Sequence, residues 1–331
     1  MSVLVEARNL VKHYRGRRAW LGLGGTRDAI RAVDGVGFTI ERGRILGLVG
    51  ESGCGKTTVA RLLLRLTEPT AGEVLFEGDS VFTLDAARLR ALRRRMQIVF
   101  QDPYGSLNPR MRVRATLAEP FEIHRLAAGA EVERHVERLL EEVGLDRALA
   151  GAYPHELSGG PRQRVGIARA LAVEPEFLVC DEPVSALDVS VQAQVLNLLA
   201  DLRQKRNLTM LFIAHDLAVV RHMAEEVAVM YLGRIVERAP AHALYAAPRH
   251  PYTTALLSAV PIPDPAGQKP RILLPGDVPS PARPPSGCPF HPRCPHPKKN
   301  NRCRTEAPVP REITGGQFVA CHFAEEPMTR A

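Results

Sequence analysis

Three short stretches of this chain carry residue types and spacings suited to phosphate chemistry. Gly50-Glu51-Ser52-Gly53-Cys54-Gly55-Lys56-Thr57 has the spacing of a phosphate loop. Its glycines let successive backbone N–H groups turn inward around phosphate oxygens, Lys56 adds a point charge near the β- and γ-phosphates, and the Thr57 hydroxyl is placed to ligate Mg²⁺. Thr58 starts the following helix, whose N-terminus also favours anions. Further on, Phe177-Leu178-Val179-Cys180 is an apolar strand that runs into Asp181 and Glu182. Asp181 suits an outer role around Mg²⁺, and Glu182 can face the γ-phosphate to orient and deprotonate a water. Between the two lies Leu157-Ser158-Gly159-Gly160, just ahead of a helix around Arg162–Leu171. A serine there is first of all an N-cap.

These residues need elements to position them. Ile45–Val49 is apolar throughout, as a strand buried on both faces of a parallel sheet should be. It runs straight into the phosphate loop, and a helix is expected from Thr57 to about Leu66, the strand–loop–helix context the motif requires. Strand and helix alternate again through Phe177–Cys180, a helix near Val191–Leu202, the strand Met210–Ala214, a helix from Asp216 and the strand Val227–Tyr231. That order predicts an α/β fold with a parallel core sheet covered by helices. The N-terminal part reads as β-rich, with strands at Val5–Ala7, Leu10–Val11 and Gly37–Ile40. Residues 15–31 form a basic, Gly-rich excursion that leaves Trp20, Leu21 and Leu23 exposed unless something covers them. Residues 105–165 read as a helical insert. After about residue 245 the composition changes, and 261–311 are dense in proline, basic residues and cysteine, where little regular structure can form.

Composition narrows the class. With 331 residues, 45% of them hydrophobic, the chain can build one large domain and a small one. No run of about 18 apolar residues is present and the N-terminus lacks a signal-peptide pattern, so a cytoplasmic location is expected. The net charge of +8 admits anionic partners. Its densest run, Arg88 to Arg95, fits a solvated helix with Leu89 and Leu92 as the buried side and no interleaved aromatics for stacking bases.

The order of phosphate loop, Leu-Ser-Gly-Gly and strand-end carboxylates resembles the ATP-binding-cassette (ABC) family. That resemblance implies a P-loop ABC nucleotide-binding domain over about 1–245, with its helical subdomain about 105–165, and a C-terminal domain over 246–331. It implies ATP and Mg²⁺ as cofactors and an ATPase that closes two nucleotide domains around ATP. By the resemblance, Ser158, Gly159 and Gly160 meet the γ-phosphate held by the other domain, and Asp188 in Ser185-Ala186-Leu187-Asp188 belongs to the loop between domains. Gln101 looks like the glutamine that senses Mg²⁺ and water, although a polar residue can also simply end a strand. His215 looks like the switch histidine on the γ-phosphate, or it can cap the helix that follows. Tyr14 looks like the aromatic stacked on adenine, or it packs at a strand end. One departure is Pro161, where the family usually has glutamine. Proline fits early in a helix but donates no N–H, so the site completed by this motif could be the weaker of two.

Val99-Phe100-Gln101-Asp102-Pro103-Tyr104-Gly105-Ser106-Leu107-Asn108-Pro109-Arg110, the excursion at 15–31 and His250-Pro251-Tyr252-Thr253 are similar to the dipeptide/oligopeptide permease branch. The implied partners are a second ABC ATPase subunit, two transmembrane permease subunits and, indirectly, an extracytoplasmic substrate-binding protein, with no nucleic acid. Importers of nickel, glutathione and some sugars share this branch. Cys288, Cys294, Cys303 and Cys321 crowd the tail, and four thiolates can hold zinc or an iron–sulfur cluster or remain unligated. The similarity of Cys-Pro-Phe-His-Pro-Arg-Cys to the tails of that branch implies a [4Fe–4S] cluster. For zinc, His291, His296 or His322 could replace a cysteine. A nucleic-acid-acting ABC ATPase and a metal- or redox-responsive regulator are the rival readings.

Overall fold

The computed structural model describes residues 2–15, 29–260 and 271–328. Residues 16–28 of the basic excursion, with Trp20, Leu21 and Leu23, lie outside the described residues, as do 261–270 of the proline-dense stretch. The chain divides into two compact units, each threaded by several segments.

One unit comprises Met1–Leu4, Ile40–Arg44 and Thr83–Ile213. Its centre is a run of parallel strands, Met96–Val99 beside Phe177–Asp181 beside Thr209–Ala214, with Val99 opposite Cys180 and Asp181 opposite Ile213. Every residue of the second and third strands is buried, which explains why both read as continuous apolar runs rather than alternating ones. The expected basic helix is Ala86–Arg95, started by Asp85, whose carboxylate accepts the Arg88 N–H at 2.8 Å. Leu92 is its buried residue, while Leu89 is only half-buried. The helical insert resolves into Val113–His124, Ala130–Glu142 and Gly159–Leu171. In the second of these, Val132, Val136, Leu139 and Leu140 make one buried stripe at helical spacing. The helix Val189–Arg206 follows, longer at both ends than its apolar pattern suggests, because Asp188 caps it and Asn207 ends it in a left-handed conformation.

The other unit comprises Val5–Thr39, Ile45–Phe82 and Ala214–Ala331. It contains an antiparallel sheet ordered Ile30–Glu41, Val3–Tyr14, Ala71–Phe76, Asp79–Ser80, the β-rich N-terminal part expected from the sequence. The apparent break between Ala7 and Leu10 is a bulge within one strand, where Asn9 takes φ 46° and the register shifts. Separately, Ile45–Val49 pairs in parallel with Glu226–Tyr231, to which Arg234–Pro240 adds antiparallel. Gly47 lets the helix Leu217–Met223 lie close on this sheet, since a Cβ there would come within 2.3 Å of Val220.

The tail is irregular, but it is not without order. Arg311–Thr314 and Gln317–Val319 form a hairpin that pairs with Arg234–Pro240. Glu237, fully buried on that strand, accepts the Arg249 N–H at 2.8 Å, the His250 N–H at 2.9 Å and the Gln317 side-chain amide at 2.8 Å. One carboxylate thus holds strand, connector and hairpin together. Burial pushes its pKa up, opposed by those hydrogen bonds.

Candidate nucleotide site

The expected site residues fall in both units, and each group is built locally. In the second unit the buried strand Ile45–Val49 delivers Gly50 to a spot where a Cβ would lie 2.2 Å from the Met230 carbonyl oxygen. Gly55 stands at φ 111°, and its Cβ would lie 2.1 Å from the Ala32 carbonyl oxygen. These two positions admit only glycine without the backbone moving. The helix Lys56–Leu63 starts directly after Gly55, one residue earlier than the sequence suggests. Lys56 is 4% exposed, and its Nζ donates to the carbonyls of Gly50 at 2.7 Å and Glu51 at 3.2 Å. The ammonium is therefore folded across its own loop and prepositioned for phosphate. Burial raises the pKa of the Cys54 thiol, so this residue contributes backbone rather than a nucleophile.

Two plain structural alternatives for residues of this unit do not match the geometry. Tyr14 is 37% exposed with Lys12 Nζ 5.0 Å from its ring centroid, so it is not packed away at the strand end. The helix Leu217–Met223 is capped by Asp216, which accepts the Ala218 N–H at 2.7 Å, and His215 is not its cap.

In the first unit Asp181 ends its strand 3% exposed. Glu182 follows with φ 46°, an uncommon conformation for a side chain without special reason. The turn still keeps strand pairing, because the Glu182 N–H donates to the Ile213 carbonyl at 3.0 Å. It brings the carboxylate to Gln101, whose Nε2 donates to Glu182 Oε2 at 3.0 Å. The glutamine does more than end a strand, since it holds the residue expected to act on water. Cys180, behind them, is fully buried and its thiol is pushed up to about 12.

Ser158 occupies the N-cap of Gly159–Leu171, but its hydroxyl makes no capping hydrogen bond and the residue is exposed. The expected N-cap role is therefore carried by its position alone, and the hydroxyl is left for another partner. Pro161 lies in the first turn, where its missing N–H would have had no partner within the helix. A Cβ on Gly159 would meet Leu187 at 3.0 Å and one on Gly160 would meet Val191 at 2.7 Å, so these glycines let the helix start lie against the loop Ser185–Asp188. Asp188 itself accepts the Val191 N–H at 3.0 Å and the Ser190 hydroxyl at 2.8 Å, and these bonds hold its pKa below the usual carboxylate range. Sequence reasoning missed Arg162. It is 3% exposed, donates to the carbonyls of Pro154 and Leu157 at 2.7 Å each, and lies 3.7 Å from the Tyr104 ring centroid. Its place beside Gly159-Gly160-Pro161 was the available signal.

The four tail cysteines are all free thiols. The Cys288 N–H donates to the Cys303 carbonyl at 2.9 Å. Burial, reinforced by the neighbouring thiols, pushes Cys288 up to about 12 and Cys321 to about 11, and burial raises Cys294 as well. Among the described residues, however, no group of three or more His, Cys, Asp or Glu side chains is arranged to hold a metal ion. The expected cluster at Cys288, Cys294, Cys303 and Cys321 is thus a shared neighbourhood of thiols without a ligand shell. His291, His296 and His322 do not complete one: their ring nitrogens contact the carbonyls of Cys288 at 2.9 Å and of Glu326 and Glu306 at 3.0 Å. No helix among the described residues is long and apolar enough to cross a membrane.

Comparison with known proteins agrees with this geometry. Residues 33–185 match the ABC transporter family and residues 236–303 match the oligopeptide/dipeptide transporter C-terminal region. A probable peptide ABC transporter ATP-binding protein of Sinorhizobium fredii is 52% identical over 97% of this chain and 90% of its own length. The oligopeptide transport ATP-binding protein AppF of Bacillus subtilis is 52% identical over 89% of this chain and 90% of its own. The solved dimer of an ATP-binding cassette in a post-hydrolysis state, bound to ADP and Pi, superposes with a TM-score of 0.64 at 28% identity, covering 72% of this chain and 99% of that one. Phosphate loop, Leu-Ser-Gly-Gly turn, strand-end carboxylates and near full-length relatives lead to one conclusion: the chain belongs to the ATP-binding proteins of ABC transporters.

Proposed function

We propose that this chain is the ATP-hydrolysing motor of a peptide importer, working with a second ATPase subunit beneath two membrane permease subunits. The observation that carries hydrolysis is the Gln101–Glu182 pair, a carboxylate fixed past the end of a buried strand by a side-chain amide. Support for peptides comes from the similarity to peptide and oligopeptide transport proteins along almost the whole chain. In this reading Gly50, Ser52, Gly53, Cys54, Gly55, Lys56, Thr57 and Thr58 bind the phosphates and Tyr14 stacks on adenine. Ser158, Gly159, Gly160 and Asp188 serve the ATP held by the partner cassette, and His215 steadies the γ-phosphate. Glu182 takes the proton from the attacking water.

By donor chemistry, Thr57 and Gln101 would hold Mg²⁺ through oxygen, the ligand type that cation requires, with Asp181 in an outer role. Bound there, it would neutralise charge on the transferring phosphoryl group. The working division goes with this reading: a nucleotide-binding domain to about residue 245 and a C-terminal domain beyond. So does a weaker site at the Pro161 end of a heterodimer, which equal loss of turnover on disabling either site would contradict.

The reading also includes a [4Fe–4S] cluster, or zinc, on Cys288, Cys294, Cys303 and Cys321. Its support is chemical, four thiols of one segment with none in a disulfide. The side chains as placed do not form a ligand shell, and no step is drawn through a metal. Anaerobically purified protein lacking both iron and zinc would end this part.

The test of the whole is uptake of labelled di- to pentapeptides and of nickel, side by side, in cells carrying Glu182→Gln. Loss of peptide uptake alone is expected. Intact peptide uptake with loss of nickel uptake would move the substrate to the metal.

A further inference from the structure

A carboxylate stands inside the loop that is built to receive phosphate, and its restraint is unusual. Glu51 is gripped by Arg293, 242 residues away in sequence, with Nη1 donating to Oε2 at 2.8 Å and Nη2 to Oε1 at 3.2 Å. The guanidinium is the shielded member, with 9% of the Arg293 side chain exposed against 29% of Glu51. The backbone of the same residue is held too: the Glu51 N–H donates to the hydroxyl of Tyr252 at 3.0 Å. Tyr252 is fully buried, its ring centroid 4.8 Å from that of Tyr231 and 5.3 Å from that of Phe290. Arg293 sits in the short turn His291–Arg293, fixed by its own N–H to the Phe290 carbonyl at 3.0 Å and by the His291 N–H to the Cys288 carbonyl at 3.0 Å. Neither Arg293 nor Tyr252 belongs to any nucleotide motif read from the sequence.

We propose that Arg293 and Tyr252 are positioning residues of the nucleotide site, through which the C-terminal region sets the shape and charge of the phosphate loop. A polyphosphate entering the loop meets inward N–H groups and Lys56. A free carboxylate at position 51 would repel it and would compete for the Lys56 ammonium, which already touches the Glu51 carbonyl. The bidentate guanidinium cancels that charge and keeps the carboxylate on the tail, while the tyrosine hydroxyl fixes the peptide unit ahead of Ser52. The inference rests on the ATPase reading and adds to it a part of the chain with no nucleotide motif.

The experiment is calorimetric titration of Mg·ADP and Mg·ATP into the full-length chain and its variants, with a melting curve for each. No binding by the unaltered chain would sink the ATPase reading itself. Given binding there, Arg293→Gln should weaken it about tenfold, and Arg293→Lys, which keeps the charge but loses the two-pronged grip, should weaken it less than Arg293→Gln does. Arg293→Gln combined with Glu51→Gln should return to near the unaltered affinity, because the charge that repels phosphate is gone. A merely structural ion pair would give no such rescue. Unchanged binding in Arg293→Gln, or a double variant as weak as the single, would overturn the proposal. Should Arg293→Gln melt below the assay temperature, Tyr252→Phe carries the test: binding about threefold weaker is expected, and unchanged binding overturns it.

Discussion

The phosphate loop and the cysteine-rich tail are both irregular backbone, yet they are held in opposite ways. The loop takes its path mainly from its own residues: Gly50 and Gly55 give it room against Met230 and Ala32, and Lys56 ties the loop's carbonyls together, with Arg293 and Tyr252 holding Glu51 from outside. The tail is shaped by side chains that bridge stretches distant in sequence. Glu237 collects Arg249, His250 and Gln317, and Arg311 donates to the Cys321 carbonyl at 2.7 Å while pairing with Glu325. A locally coded element announces itself in sequence, and a non-locally held one does not. The tail's hubs also answer a question its proline content raises, how such a segment keeps a structure at all: buried hydrogen-bonded carboxylate and aromatic packing supply a frame.

The largest expected effect lies in the loop. Lys56→Ala should reduce nucleotide affinity by more than about 100-fold, because it removes the ammonium folded over the loop's carbonyls; fluorescent-nucleotide titration reads it directly. Gly55→Ala should follow. A side chain at φ 111° and in contact with the Ala32 carbonyl strains the turn by about 2–4 kcal/mol, seen as a lower melting temperature together with weakened binding. Retained stability and binding in that variant would break the claim that the loop is coded by its own residues.

The tail should instead respond to pH. Burial pushes His250 down from 6.5 to about 3, so the folded tail keeps this ring neutral while the unfolded chain takes up a proton below pH 6.5. Its contribution is therefore complete above pH 6.5 and is lost as pH falls toward 3, amounting to about 2 kcal/mol by pH 5. Melting curves at pH 7.5 and 5 should show that loss. His250→Asn, which keeps an acceptor for the Tyr252 N–H, should flatten the slope, and an equal slope in both proteins would contradict it.

The smallest expected effect separates two residues that look alike in sequence. Ser158 stands at an N-cap without capping, whereas Asp188 caps its helix. Ser158→Ala should leave the melting temperature within about 2 °C while lowering turnover, and Asp188→Ala should lower both.

Much of the fold was legible because its strands are continuous apolar runs bounded by motif residues, as in Ile45–Val49 and Phe177–Asp181. The bulge at Asn9 was not legible. A single left-handed residue looks like a break in pattern although the strand continues through it. Within the site, the phosphate loop and the carboxylates could be read from residue spacing. The role of Gln101 was implied by resemblance, but its contact with Glu182 and the contacts of Arg162, Arg293 and Tyr252 came from neither, because each depends on partners distant in sequence or on a carbonyl direction that no pattern encodes. The tail cysteines suggest a ligand set through the resemblance of their segment to other tails, while among the described residues no three His, Cys, Asp or Glu side chains are arranged to hold a metal.

The most direct test of the central claim is hydrolysis and nucleotide retention in Glu182→Gln, measured on the assembled ATPase pair. The account predicts ATP bound at unaltered affinity, retained in a closed pair, with phosphate release reduced by at least about 100-fold. Normal phosphate release from that variant would show that Glu182, despite its fixed place beside Gln101, is not the residue that activates water.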